Sequence, residues 1–261
     1  MMQAVKAKKH LGQHFLKDTN IAGNIVSALS TVYPSGAILE VGPGMGVLTQ
    51  YLLELGLNTT WAAEVDAESI TYLSATYPHL KDRLIFESFL DLNLSEKFPE
   101  SVAIIGNFPY NISSQIVFHV LDHKKHVPFL VGMFQKEVAE RIGAKPCSKA
   151  YGIITVITQA FYNVEYLFTV NEDVFIPPPK VKSGVIRMTR RATELPCDEV
   201  LFKKIIKTAF NQRRKKLRNA IAVFGLSDNE LGRFATQRAE ELSVDDYFEL
   251  THLIAAKNQN K

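Results

Sequence analysis

Residues 37–46 read Ala37-Ile38-Leu39-Glu40-Val41-Gly42-Pro43-Gly44-Met45-Gly46, an apolar run that passes straight into three alternating glycines. A strand-like run ahead of such a turn, with a helical pattern over Val47–Leu55 behind it, opens a βαβ unit. The glycines permit a tight turn and let another group approach the backbone closely. Moving outward, apolar runs recur at Trp61–Val65, Arg83–Glu87, Val102–Gly106, Phe129–Phe134, Val164–Val170 and Gly184–Thr189. Helical patterns at Ala67–Thr76, Ser113–His123, Lys136–Gly143 and Tyr151–Phe161 fall between most of them. The alternation predicts an α/β fold: a Rossmann-like, seven-stranded, mostly parallel sheet covered on both faces. Only a turn containing Pro177-Pro178-Pro179 separates the last two strands, so they are expected to pair as a hairpin and supply one antiparallel member.

The chain has 261 residues, of which 46% are hydrophobic, enough for one large core with a smaller domain behind it. Arg191–Pro196 reads as a linker, which sets a main domain at 1–190 and a small all-α domain at 197–261. In the latter, Leu201, Phe202, Ile205, Ile206, Ala209 and Phe210 recur along one helical face. Further helices are predicted around Asp228–Thr236 and Val244–Ala256, with Ser243 and Asp246 as a capping signal. No apolar run approaches the ~20 residues that span a bilayer. Met1–Lys17 carries four lysines but lacks the apolar stretch of a secretory signal. Cys147 and Cys197 are too few for a disulfide framework or a cysteine-based metal site, so a cytoplasmic protein without a metal is expected.

Charge is unevenly placed. The net charge is +3, yet eight basic residues and no acidic ones lie between Lys203 and Arg218, so the rest of the chain is mildly acidic. A basic run can be a solvated helix face. At this density, with no interspersed carboxylate, it reads better as a footprint for phosphate backbones.

The glycine turn has the spacing G-x-G-x-G, with Val47 where the dinucleotide fingerprint needs its third glycine. An acidic residue, Glu40, stands just before it. Both details favour S-adenosylmethionine over a nicotinamide dinucleotide, since a ribose-linked sulfonium needs no pyrophosphate cradle. Glu64 ends the second predicted strand and is placed to accept hydrogen bonds from ribose hydroxyls; otherwise it is a surface carboxylate.

The strand Val102–Gly106 runs into Asn107-Phe108-Pro109-Tyr110. In open α/β sheets, ligands bind beyond the carboxyl ends of the strands. There, Asn107 offers an acceptor for an amino group and Tyr110 a flat face for a planar ring, which suits a nucleobase with an exocyclic amine. Taken alone, the tetrapeptide reads equally well as a turn.

Five motifs in order resemble those of the small-subunit (16S) ribosomal RNA adenine dimethyltransferases. They are Gly12–Leu16, Glu40–Gly46, Asn107–Tyr110, Phe175–Val181 and Ala209–Lys215, and the resemblance covers nearly the whole chain. It implies a class I S-adenosylmethionine-dependent methyltransferase fold and N6,N6-dimethylation of two adjacent adenosines in the 3′-terminal hairpin loop of small-subunit rRNA. It further implies cofactor contacts at His14, Leu16, Gly42, Gly44, Glu64, Ser88 and Asn107. The catalytic set is then Asn107, Pro109, Tyr110 and Phe175, with Asn107 and the Pro109 carbonyl accepting from the adenine amine and the two rings flanking the base. RNA contacts are expected at Lys207, Arg213, Arg214, Lys215, Lys216 and Arg218, joined by Lys6, Lys8 and Lys9. The partner is small-subunit RNA or a pre-30S particle, and a monomer is expected.

Two positions depart from the pattern. His14 stands where the family usually has Asn, and Ser88 where it has an aspartate that holds the cofactor's adenine amine. Serine accepts a hydrogen bond without a carboxylate's charge, and Asp91 is a candidate to compensate. The alternatives are a large-subunit rRNA or DNA adenine methylase, a nicotinamide-dependent oxidoreductase, and a non-catalytic ribosome-assembly factor on the same fold.

Overall fold

The computed structural model describes residues 5–56 and 59–259. Among them, seven strands form one sheet: β1 Ala37–Val41, β2 Thr60–Ala63, β3 Leu84–Ile85, β4 Val102–Asn107, β5 Phe129–Gln135, β6 Tyr162–Val170 and β7 Ser183–Arg190. Their order is β3-β2-β1-β4-β5-β7-β6. β1 pairs in parallel with β2 and β4, and β4 with β5, while β7 runs antiparallel to β5 with Phe129 opposite Thr189 and Gln135 opposite Ser183. The expected hairpin partners, β6 and β7, are neighbours, and β7 is inserted between β5 and β6.

Strands covered on both faces must be apolar at every position rather than at alternate ones. β4 shows this, since Val102–Ile105 are fully buried. The strand order reverses between β1 and β4, the switch point at which loops diverge and leave a crevice. Because β1 and β4 are parallel, the glycine turn and the Asn107 tetrapeptide leave the sheet at the same edge.

The sequence reading gives no element before β1. The structure has a helix at Thr19–Ser30, whose Ala22, Ile25, Val26 and Leu29 are buried. Asp18 caps it, accepting from the amides of Asn20 and Ile21 at 2.9 and 3.0 Å. Its apolar stripe packs on β5 and joins Ile38, Ile105 and Val131 in one core cluster. Ahead of it, Phe15–Leu16 pairs antiparallel with Phe175–Ile176 as a two-stranded ribbon.

The chain divides into two compact units, Met1–Glu140 with Asn163–Arg190, and Arg141–Tyr162 with Arg191–Lys261. The first holds the sheet. The second includes the helix Ile153–Phe161, which the sequence reading groups with the sheet, together with Glu199–Asn211 and Val244–Gln259. Phe202, Ile205, Ile206 and Ala209 are buried along the expected face of Glu199–Asn211. The capping signal is realised: the Ser243 hydroxyl accepts from the Asp246 amide at 3.1 Å, and Asp246 Oδ2 accepts from the Ser243 amide at 2.8 Å. None of the described helices is long and apolar enough to cross a membrane.

Candidate active site

The glycine turn is held open by its backbone. Gly42, Gly44 and Gly46 have φ of 67°, 55° and 81°, a region costly for residues with a Cβ. A Cβ on Gly44 would lie 2.7 Å from the Phe15 ring, so this glycine also lets the N-terminal segment close over the turn. The Gly42 amide donates to Ala63 O at 2.9 Å, tying the turn to the end of β2.

Glu64 follows β2 and is buried. Its Oε2 accepts from the Gly44 amide at 3.1 Å, and its Oε1 from the Val65 and Asp66 amides at 2.9 and 3.0 Å. A carboxylate has about four acceptor positions, so about one remains for a ligand hydroxyl. Burial raises the Glu64 pKa, and the three amide donors oppose the rise. Asp66 starts the next helix. Burial acts to raise its carboxyl too, but Lys8 at 2.5 Å, the Glu68 amide and the Ser69 hydroxyl outweigh it and hold the pKa below the ordinary range. Lys8, expected on RNA, is therefore engaged by Asp66 and, at 3.1 Å, by Glu68.

Glu40 on β1 is a second buried carboxyl, and the Thr49 hydroxyl donates to it at 2.6 Å. Burial pushes its pKa up to about 7, Thr49 opposes this, and the charge of Glu64 adds to it. No Lys, Arg or His pairs with Glu40 among the described residues.

Asn107 ends β4, and its Nδ2 donates to the His14 carbonyl at 2.9 Å. This engages the amide nitrogen and leaves Oδ1 as the free acceptor. Phe108 turns inward and lies against Gly106 and Gly132, where any Cβ would overlap its ring. Its amide continues the ladder to Met133 O at 3.1 Å. The Pro109 carbonyl takes the Ile112 amide at 3.3 Å and the Ser113 hydroxyl at 3.2 Å. Tyr110 shares a 2.5 Å hydrogen bond with the buried Ser183 hydroxyl; burial raises its phenol pKa and this bond opposes the rise.

Three concavities meet here. A cleft of about 450 Å3, open at its mouth, is lined by Gly12, His14, Gly42, Gly44, Glu64 and Asn107, among others. A smaller recess beside it is walled by Leu16, Glu40, Gly42, Met45, Val47 and Asn107, among others. A wider groove of about 1200 Å3 runs from His14 and Tyr110 along Pro177–Pro179 and Val181. Gly42, Gly44, Glu64, Leu16, His14 and Asn107 are thus brought together, and the residues suit S-adenosylmethionine. A side-chain-free cradle at the glycines faces the Glu64 carboxyl, and Glu40, buried and without a cationic partner among the described residues, lines the recess beside it.

Other expected residues lie elsewhere. Ser88 caps the short turn Phe89–Asp91, its Oγ accepting from the Leu90 amide at 3.2 Å, and it lines none of these concavities. Phe175 is buried in the apolar cluster under the ribbon, not facing the groove. In the second unit, Arg213 is drawn inward, donating to Lys149 O and Ser148 O at 3.1 Å each and pairing with Glu240. Arg218 pairs with Asp228 at 3.0 Å. Lys207, Arg214, Lys215 and Lys216 are exposed, with no ion pair among the described residues. Sequence reasoning missed Thr49 and Ser183, the hydroxyls that hold Glu40 and Tyr110; neither stands in a recognisable motif.

A family model described as ribosomal RNA adenine dimethylase matches residues 4–256. A ribosomal RNA small subunit methyltransferase A from Cytophaga hutchinsonii is 53% identical, over 98% of this chain and 100% of its own. One from Flavobacterium johnsoniae is 55% identical, over 98% of each chain. Among solved structures, a dimethyladenosine transferase from Plasmodium falciparum matches with a TM-score of 0.82 at 23% identity, covering 94% of this chain and 98% of that one. The 23S rRNA methyltransferase ErmE matches with a TM-score of 0.73 at 20% identity, covering 92% and 99%. Both share the class I methyltransferase fold described above. The match over residues 4–256, supported by relatives 53% and 55% identical over nearly their full length, places the chain in the ribosomal RNA adenine dimethylase family.

Proposed function

We propose that the protein uses S-adenosylmethionine to convert two adjacent adenosines near the 3′ end of small-subunit ribosomal RNA to N6,N6-dimethyladenosine. The observation that carries this reading is the Asn107 amide, fixed through its nitrogen by the His14 carbonyl so that its oxygen is the free acceptor at the cleft. Gly42, Gly44, Leu16 and Glu64 hold the cofactor, which supplies an electrophilic methyl group.

An exocyclic adenine amine is a weak nucleophile because its lone pair is delocalised into the ring. Asn107 Oδ1 and the Pro109 carbonyl accept its two hydrogens, the latter freed when the Ser113 hydroxyl turns to the Tyr110 carbonyl, also 3.2 Å away. As the nitrogen becomes tetrahedral and gains positive charge, both acceptors bind it more tightly, which selectively stabilises the transition state. No side-chain base is needed, since the methylated nitrogen is acidic and releases its proton to water. Neutral acceptors also tolerate the monomethyl product that must react a second time. Tyr110 offers its ring to a base taken out of its stack. In the 197–261 region, Lys207, Arg214, Lys215, Lys216 and Arg218 contact the RNA backbone and set register without reading sequence. The protein acts as a cytoplasmic monomer on a pre-30S particle.

The test incubates the protein with labelled S-adenosylmethionine and unmethylated small ribosomal subunits, then maps the label. Two adjacent dimethyladenosines near the 3′ end are expected. Label confined to large-subunit RNA would instead favour a methylase of the resistance type. Particle binding without any label would favour an assembly factor.

A further inference from the structure

We propose that the His14 side chain is a positioning residue for the RNA base; this rests on the function proposed above. His14 Nδ1 lies 2.8 Å from the Pro177 carbonyl. A carbonyl only accepts, so Nδ1 carries the proton and donates. The His14 ring lies against Tyr110, with centroids 5.3 Å apart and planes 31° from parallel. Its backbone carbonyl meanwhile takes the Asn107 amide. One residue thus touches the groove wall, the stacking ring and the amine acceptor.

The position follows from the ribbon. Phe15 pairs with Ile176 and Leu16 with Phe175, and Lys17 N donates to Val174 O at 2.9 Å. The next pair outward would be His14 and Pro177. Proline has no N–H, and Pro178 and Pro179 follow it, so no ladder can continue through three residues without donors. The carbonyl of Pro177 remains available, and the imidazole takes it. This pins the proline segment, one wall of the wide groove, to the segment that orients Asn107. The ring also fixes the pitch of Tyr110 from one side, while Ser183 holds its hydroxyl. Both contacts of the side chain, Tyr110 and the Pro177 carbonyl, are to residues that line the wide groove.

The test compares His14→Ala, His14→Asn and His14→Phe in the full-length protein, with thermal melting to confirm folding. Asn keeps a donor near the Nδ1 position, and Phe keeps the ring without the donor. Cofactor affinity is measured by calorimetry with S-adenosylhomocysteine, and kcat and KM with RNA as the varied substrate. His14→Ala is expected to leave cofactor Kd within about two-fold while reducing kcat/KM for RNA by about ten-fold or more, the scale of one lost stacking or hydrogen-bonding constraint. Asn and Phe are each expected to restore part of that loss. In 15N spectra of the free protein, His14 should show Nδ1 protonated. A ten-fold or greater loss of cofactor affinity with an unchanged RNA KM would overturn the proposal, as would unchanged values of both. If the unmodified protein binds no cofactor, the proposed function itself fails, a result distinct from either.

Discussion

The side-chain nitrogen of Asn107 and the backbone carbonyl of His14 are 2.9 Å apart, although 93 residues separate them in the chain. This hydrogen bond decides which end of the amide faces the cleft. Replacing Asn107 with Asp would set a carboxylate against that carbonyl, and Ala would remove the acceptor. Both variants are expected to lose about 10²–10³-fold in methyl transfer, the usual effect of deleting one transition-state partner. RNA affinity should stay unchanged. Single-turnover transfer and filter binding read the two quantities separately.

Phe108 anchors the same tetrapeptide by filling the space over two glycines. Gly132→Ala would force its ring off the sheet, at a cost of about 1–3 kcal/mol or more from overpacking. Activity should fall further than stability alone explains, because Asn107 and Pro109 flank the displaced ring. Thermal melting and kcat measured well below the melting temperature distinguish the two effects.

Glu40 gives a pH-dependent expectation. Its pKa rises from 4.5 to about 7 on burial, so the folded state holds the proton more tightly than the unfolded chain does. The contribution is then fully present below about pH 4.5 and lost as pH rises to about 7, amounting to about 3 kcal/mol. Glu40→Gln keeps an acceptor for Thr49 and removes the ionisation. It should melt higher than the parent at pH 8, match it near pH 4.5, and flatten the dependence between. Urea midpoints across that range provide the check; parallel pH profiles for the two proteins would contradict it.

The basic run should split by role. Lys215 and Lys216 are exposed, so changing both to Ala should leave the melting temperature within error while weakening RNA binding. The slope of log affinity against log salt should drop by about 1–2. Arg213→Ala should instead destabilise the second unit, since the carbonyls of Ser148 and Lys149 lose their donor and Glu240 its ion pair. Melting curves and a salt titration on the same three proteins separate these outcomes.

Much of this was legible where local signals are strong. The strand Ala37–Val41 and the helix Ala67–Thr76 fall at their expected bounds, the latter because Asp66 caps it. The helix Thr19–Ser30 carried a readable signal in Asp18 followed by Ala22, Ile25, Val26 and Leu29, but it stands outside the strand–helix alternation. The ribbon Phe15–Leu16 with Phe175–Ile176 had none, since two residues make no period. At the site, residue types located the glycine turn, Glu64 and Asn107. They did not reveal which of the two adjacent arginines bonds back to its own unit, because charge density is the same for Arg213 and Arg214. Nor did they reveal that Ser88 accepts the Leu90 amide in its own turn, which only the backbone path decides.

The interrupted course of the second unit has a consequence for how the chain is made. Ile153–Phe161 emerges from the ribosome well before Glu199–Asn211 and Val244–Gln259, the helices on which it packs. Until those arrive, Ile154, Val156 and Ile157 have no cover from their own unit. A fragment ending at residue 190 would keep this sticky helix permanently and should aggregate. Deleting 191–261 is therefore a poor way to isolate the sheet, and a nascent chain paused there is the natural client of a chaperone.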